Sequence, residues 1–225
     1  MKVLIIEDEK ELRKSMVSYL SGEGYLCESA DDFKAAIEKI GVYEYDVFVV
    51  DIMLPGGTGL DLIGEIKKLE SQAGIIIVSA KDSIDDKIRG LEIGSDDYLT
   101  KPFHLSELNA RIKSIIRRRN FGGRNEIIFN EIKVITDARQ VLVNDNEIVL
   151  TAKEYDLLLY FLSNKGRVVT KDSIAEHLCG DQIDQADSFD FIYTHIKNLR
   201  KKLIQHGAKD YVNTVYGIGY KFLNE

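Results

Sequence analysis

The sequence predicts an α/β domain built on a parallel, doubly wound sheet, followed by an α+β domain. Three observations carry the prediction. Apolar strand-like runs and helix-period segments alternate five times over residues 3–118. Beyond a basic, glycine-containing stretch near residue 120 the pattern changes to short, alternating strands and amphipathic helices. The chain has 225 residues and is 44% hydrophobic, enough to bury two modest cores.

In the first half, "VLII" (3–6), "YDVFVV" (45–50) and "GIIIVSA" (74–80) are continuous apolar runs, the pattern of strands buried on both faces. "YLCESA" (25–30) and "DYLTK" (97–101) are weaker strand signals. Segments of helical period lie between and after them, at 9–21, 32–40, 58–69, 84–93 and 105–118. In the last of these, Leu105, Leu108, Ile112, Ile115 and Ile116 recur at three- and four-residue steps. Strand–helix alternation of this kind gives a parallel sheet covered on both faces.

"RRRNFGGRNE" (117–126) reads as a helix end, two glycines and a polar linker. It sets domains at 1–119 and 127–225, joined by residues 120–126. "EIIFNEIKVITDARQVLVNDNEIVL" (126–150) alternates, with turn signals at Asp137-Ala138 and Asn144-Asp145, as a small antiparallel sheet does. Thr151 and Glu154 form a capping box ahead of an apolar helix, and Gly166 is its predicted stop. "TKDSIAEHL" is a short second helix. "DSFDFIYTHIKNLRKKLIQHG" is a longer third, ending near Gly207. "YVNTVYGIGYKF" closes the chain as a hairpin around Gly217 and Gly219. A small sheet, three helices and a terminal hairpin predict a winged helix-turn-helix.

Composition excludes several classes. Cys27 and Cys179 are the only cysteines and form no CxxC, which argues against a disulfide framework or a zinc site and fits a reducing cytoplasm. The apolar run at the N-terminus is too short for a secretion signal, and no run of about 18 apolar residues predicts a membrane span. Net charge is −7, but its distribution matters more. Residues 1–119 carry 17 Lys and Arg against 22 Asp and Glu, and residues 120–225 carry 13 against 15. From His195 onward, six basic residues face two acidic ones.

In doubly wound sheets, ligands bind beyond the carboxyl ends of the strands, near the switch point. The first strand runs into Glu7 and Asp8, and the third ends in Asp51. If those strands are neighbours, three carboxylates converge. Like charges that close are costly unless a cation sits among them, and an all-oxygen set suits Mg²⁺, to which the Met53 backbone carbonyl could add a ligand. The fourth strand ends in Ser79 and the fifth in Lys101, adding a hydroxyl and an ammonium. This set suits phosphoryl transfer to a carboxylate: metal and Lys101 offset charge, Ser79 donates to a phosphoryl oxygen, and Asp51 is the nucleophile. A single strand-end Asp is ordinarily a cap or turn residue; the five together are the signal. Other phosphate chemistries fit less well. "GGTG" (56–59) lacks the GK[ST] of a P-loop. A haloacid-dehalogenase-type phosphatase wants a second Asp where Met53 stands.

"IIEDE", "VVDIMLPGGTGLDLI", "IIIVSAKD" and "GLEIGSDDYLTKPF" resemble the receiver domain of bacterial response regulators. With its second half, the chain resembles the OmpR/PhoB-type winged-helix transcriptional regulators over nearly its whole length. The resemblance implies a flavodoxin-like (βα)5 receiver with strand order 2-1-3-4-5. It implies a sensor histidine kinase as phosphoryl source, Asp51 as acceptor, Glu7, Asp8 and Asp51 around Mg²⁺, and Ser79 and Lys101 on the phosphoryl group. Ser79 and Tyr98 become the switch pair: the hydroxyl moves toward the phosphoryl group and the aromatic ring turns into the space left. Lys87, Ile88, Leu91, Asp96, Asp97, Glu107, Ala110 and Arg111 match the positions through which family members dimerise when phosphorylated. Alone, such a charge mix is an ordinary solvated face. Promoter DNA, a second copy of the chain and RNA polymerase follow as partners, with no membrane.

In the third helix of the second domain, Phe189, Ile192, Ile196, Leu199 and Leu203 share the core spacing. Tyr193, Thr194, Lys197, Asn198, Lys201 and Lys202 then lie outward or at the flanks, suited to a major groove. Tyr216 sits on the hairpin. Relatives often carry basic residues where this sequence has Asp190, Asn198 and Tyr216, which puts individual base contacts in doubt. The resulting expectation is a phosphorylation-gated DNA-binding regulator. A phospho-switched module whose winged helix binds protein is the competing one. An enzyme is not expected beyond slow self-hydrolysis of the phospho-Asp.

Overall fold

The computed structural model describes residues 1–81, 84–123, 125–179 and 190–223. They form two compact units, Met1–Arg119 and Asn120–Glu225. The first contains β1 (Lys2–Ile6), α1 (Lys10–Gly22), β2 (Leu26–Ala30), α2 (Phe33–Val42), β3 (Val47–Asp51), β4 (Met53–Leu54), β5 (Gly57–Thr58), α3 (Gly59–Lys68), β6 (Gly74–Ser79), α4 (Ile84–Glu92), β7 (Asp97–Thr100) and α5 (Leu105–Phe121).

Five parallel strands pair in the order β2-β1-β3-β6-β7. This is the order 2-1-3-4-5 of the resemblance once the two-residue strands β4 and β5, too short to leave an alternation in the sequence, are set aside. The three central strands are buried at every position, as their unbroken Val/Ile runs require. On one face Leu4, Ile6, Phe48, Val50, Ile75 and Ile77 join Leu62, Ile63 and Ile66 of α3 in a single core. Their alternates along the strands, among them Val3, Ile5, Val49 and Ile76, are buried too, as are Leu108, Ile112 and Ile115 of α5. Each such side chain contributes about 1.5–3 kcal/mol.

At the amino end of β1, Lys2 is buried. Its ammonium lies 2.9 Å from Glu28 Oε1 and 4.4 Å and 4.6 Å from the ring centres of Tyr43 and Tyr45, so the buried charge is paired and capped by aromatic faces.

After Asp51 the chain turns through Leu54-Pro55-Gly56-Gly57, with Gly56 at φ 81°, and enters α3. Thr58 caps that helix, its Oγ1 accepting the Asp61 N–H at 3.1 Å. Gly59 serves a close approach rather than a special φ. A Cβ there would lie 2.0 Å from the Asp51 carbonyl oxygen.

The second unit contains β8 (Glu126–Phe129), β9 (Ile132–Ile135), β10 (Gln140–Val143), β11 (Asn146–Ile148), α6 (Ala152–Ser163), β12 (Val168–Thr170), α7 (Lys171–Cys179), α8 (Asp190–Gln205), β13 (Val212–Val215) and β14 (Gly219–Phe222). The first four strands form an antiparallel sheet in sequence order. Asn144 and Asp145, both at positive φ, make the tight β10–β11 turn. Both halves of the Thr151/Glu154 capping box are present. Asn164 caps the end of α6, and Gly166, two residues later, donates its N–H to the Phe222 carbonyl.

The closing hairpin is not a lone pair. β12 adds to it, giving the order β12-β14-β13, and Gly219 lets this happen because a Cβ would lie 2.0 Å from the Val169 carbonyl oxygen. In α8, Ile192, Ile196, Leu199 and Leu203 are buried as their spacing predicted; Phe189 lies outside the described residues. Among the described residues no helix is long and apolar enough to cross a membrane.

Candidate functional site

The carboxyl ends of β1 and β3 are adjacent, and Glu7, Asp8 and Asp51 offer oxygens that all lie within 4.8 Å of one another. Glu7 and Asp51 are buried and Asp8 is exposed. Lys101, just past β7, reaches across, its Nζ lying 2.6 Å from Glu7 Oε1 and 2.6 Å from Asp51 Oδ2. The other Asp51 oxygen, Oδ1, accepts the Met53 N–H at 2.9 Å. Glu7 Oε2 is buried and has no hydrogen-bond partner. Burial, opposed by Lys101 and reinforced by the nearby charge of Asp51, pushes the Glu7 carboxyl up to about 7. Burial works against the Lys101 ammonium, but its contacts with Asp51 and Glu7 prevail and raise its pKa. An all-oxygen donor set with one buried, unpartnered carboxylate oxygen fits a hard divalent cation such as Mg²⁺.

Arg13, not among the residues singled out from the sequence, holds the acidic loop from behind. Its Nη1 donates to the Glu7 carbonyl at 2.5 Å and the Asp8 carbonyl at 3.2 Å, and its Nη2 lies 3.3 Å from Asp31 Oδ2. Its place one turn into α1 carries no signal in a single sequence.

Ser79, fully buried, ends β6 on the same rim. Its Oγ accepts the Lys81 N–H at 3.1 Å, while the Tyr98 hydroxyl donates to the Lys81 carbonyl at 2.8 Å. Both predicted switch residues therefore hold the main chain of one residue. The Tyr98 ring is buried, next to Gly90 of α4, where a Cβ would come within 3.1 Å of it.

On α4, Ile88 and Leu91 are exposed, and Ile84, absent from the expected dimer face, extends the stripe by one turn. The Lys87 side chain lies outside the described residues. Arg111 of α5 links Asp97 and Glu107, each at 2.8 Å, and Ala110 beside it is exposed. Asp96 pairs with Arg119 at 2.8 Å and also accepts the Ile75 N–H.

In the second unit, Tyr193, Thr194, Lys197, Asn198 and Lys201 are exposed on α8, and Tyr216 stands out from the hairpin tip. Lys202 departs from the expectation. Its Nζ lies 2.7 Å from Glu154 Oε2 and 3.0 Å from the Val149 carbonyl, because the buried Glu154 of the capping box draws the ammonium toward α6. Arg200, on the same helix, is held by Asp210.

A family model described as "Response regulator receiver domain" matches residues 3–113, and one described as "Transcriptional regulatory protein, C terminal" matches residues 145–222. The transcriptional regulatory protein PmrA of Pectobacterium parmentieri is 36% identical, covering 98% of this chain and 96% of its own. The two-component response regulator PhoP of Pseudomonas aeruginosa is 34% identical, over 99% and 98%. Among solved structures, a two-component response regulator from Clostridium difficile aligns with a TM-score of 0.51 and 31% identity, covering 53% of this chain and 98% of that one.

Proposed function

The chain belongs to the OmpR/PhoB-type response regulators, and from that premise we propose how its own residues carry the signal from phosphate to DNA. It is a phosphorylation-activated, DNA-binding regulator of transcription. A sensor histidine kinase supplies the phosphoryl group. An Asp51 oxygen attacks the phosphorus of a phospho-His, the P–N bond breaks, and its electron pair returns to the imidazole. The observation that carries this assignment is the placement of Lys101 Nζ 2.6 Å from both Asp51 and Glu7 at the convergence of three carboxylates.

Mg²⁺, held by Glu7, Asp8, Asp51 and the Met53 carbonyl, would supply positive charge to the phosphoryl oxygens. Lys101 supplies the second positive group and orients the Asp51 carboxylate. Ser79 gives up the Lys81 N–H and turns its hydroxyl to a phosphoryl oxygen. Tyr98 then leaves the Lys81 carbonyl, which biases the α4–β7–α5 face. Ile88, Leu91 and Ala110 supply the apolar part of a two-fold contact there, and Lys87, Asp96, Asp97, Glu107 and Arg111 its register. The paired domains then meet promoter DNA through Tyr193, Thr194, Lys197, Asn198, Lys201 and Tyr216, and RNA polymerase is the downstream partner.

The test is selection of duplexes from a random pool, with and without a beryllofluoride–Mg²⁺ mimic of the phosphoryl group, using wild type and Asp51→Ala. A repeated half-site enriched with the mimic in wild type alone is expected. Equal enrichment in Asp51→Ala would sink the assignment of the acceptor.

A further inference from the structure

Residues 53–58 form a short hairpin, β4 against β5, with Met53 opposite Thr58 and Leu54 opposite Gly57. Its first N–H, that of Met53, is the group that donates to Asp51 Oδ1. The hairpin's own side chains anchor it weakly. Met53, Pro55 and Thr58 are exposed, and Leu54 alone is buried.

The other anchor comes from the start of α2. The Phe33 N–H donates to the Pro55 carbonyl at 3.1 Å. The Phe33 ring lies against Gly57, where a Cβ would stand 2.5 Å from Cδ2, 2.6 Å from Cγ and 3.1 Å from Cε2, its three nearest neighbours. Gly57 is not at positive φ, so a ring and not backbone conformation keeps this position bare. The ring is itself fixed. It packs on the receiver core at the first turn of a helix capped by Asp32, whose Oδ1 accepts the Ala35 N–H at 2.7 Å.

Resting on the phosphoacceptor reading above, we infer that Phe33 is a positioning residue of the cation site. It acts through Gly57 and Leu54 on the main chain of Met53, whose N–H aims Asp51 and whose carbonyl joins the Mg²⁺ ligands. With the ring in place, that segment is ordered before the cation arrives. Without the ring, the cation has to order the hairpin as it binds, and affinity falls by what the ordering costs. Bound Mg²⁺ restores the geometry, so the loss falls on cation affinity and not on the rate at saturation.

The experiment titrates the full chain with Mg²⁺ by isothermal calorimetry and follows amide hydrogen exchange of the metal-free protein by NMR. Phe33→Ala should raise the Mg²⁺ midpoint about tenfold, while phosphoryl uptake from a small acyl phosphate at saturating Mg²⁺ stays within about twofold of wild type. Exchange at the Met53 N–H should quicken about tenfold relative to that of Ile76 in the core of the sheet. Phe33→Tyr keeps the ring and should match wild type. Gly57→Ala should act as Phe33→Ala does, because its methyl meets the ring. In the Phe33→Ala background the three colliding atoms are gone, so the double variant should bind Mg²⁺ no worse than Phe33→Ala alone. Gly57→Ala leaves the core packing of the ring in place and decides the matter by itself if Phe33→Ala does not fold.

Wild-type midpoints in the folded variants that lose or crowd the ring overturn the inference. So do shifts that multiply in the double variant, which would mean that ring and glycine act separately. If the wild type binds no Mg²⁺ or takes up no phosphoryl group, the phosphoacceptor reading itself fails. If the wild type does both and the variants move neither the midpoint nor Met53 exchange, only the role of Phe33 falls.

Discussion

Gly59→Ala probes how Asp51, the proposed phosphoryl acceptor, is held. The added Cβ would lie 2.0 Å from the Asp51 carbonyl oxygen, 2.8 Å from its carbon and 3.0 Å from Ile52 Cα. The nearest of these is about 1.5 Å short of an ordinary contact. All three atoms are backbone, so no rotamer change relieves the clash. The first turn of α3 and the tip of β3 must part, and the 2.9 Å bond from the Gly59 N–H to the Ile52 carbonyl opens with them. Overpacking of this kind costs about 1–3 kcal/mol, against a gain of up to about 1 kcal/mol from exchanging glycine for alanine in a helix. A net loss of about 1–2 kcal/mol is expected. Moving Asp51 by about 1 Å should slow phosphorylation on the order of 100-fold.

Gly64 is the internal control. It lies in the same helix with nothing within 4 Å of the Cβ position, so Gly64→Ala should stabilise by up to about 1 kcal/mol and leave the rate unchanged. Urea unfolding of the full chain followed by circular dichroism gives the stabilities. Phosphoryl uptake from a small acyl phosphate in Mg²⁺ gives the rates. If Gly59→Ala proves as stable as Gly64→Ala and is phosphorylated within about twofold of wild type, the close approach does not govern the site.

Three further outcomes follow from single contacts. Arg13→Met frees the Glu7 and Asp8 carbonyls and should raise the midpoint of a Mg²⁺ titration about tenfold, with Arg13→Lys in between; an unchanged midpoint would remove Arg13 from the support of the site. Lys202→Met should destabilise the second domain by about 1 kcal/mol, a modest figure because the ammonium is partly exposed, and leave the salt slope of DNA binding untouched; a flattened slope would return Lys202 to the DNA face. Burial pushes the Glu154 carboxyl up, but Lys202 and the Thr151 N–H outweigh it and hold its pKa below 4.5. The stability it contributes is therefore complete above about pH 4.5 and lost as pH falls through the depressed value. An acid titration of unfolding should show this loss in wild type and not in Glu154→Gln.

The clustering of the Glu7, Asp8, Asp51 and Lys101 side chains was legible because they sit at strand ends, and strand ends announce themselves where apolar runs stop. Ser79 follows the same rule. The features that escaped depend on pairings distant in sequence. β12 is three residues long, too short to show an alternation, and exists because Gly219 admits it beside β14. Lys202 occupies a flank of α8 that could face either way, and a carboxylate 48 positions earlier decides. Arg13 and Gly59 have roles set by the backbone they approach, and neither leaves a mark on composition or period. The outward positions of α8 were legible as a set, since burying Ile192, Ile196, Leu199 and Leu203 fixes which side chains remain outside.

Ser79 and Tyr98 meet at Lys81 through its N–H and its carbonyl, groups that nearly every amino acid carries. The junction is therefore insensitive to which side chain stands at position 81. That side chain is exposed and can change without touching either bond. Proline alone, having no N–H to give Ser79, would sever it.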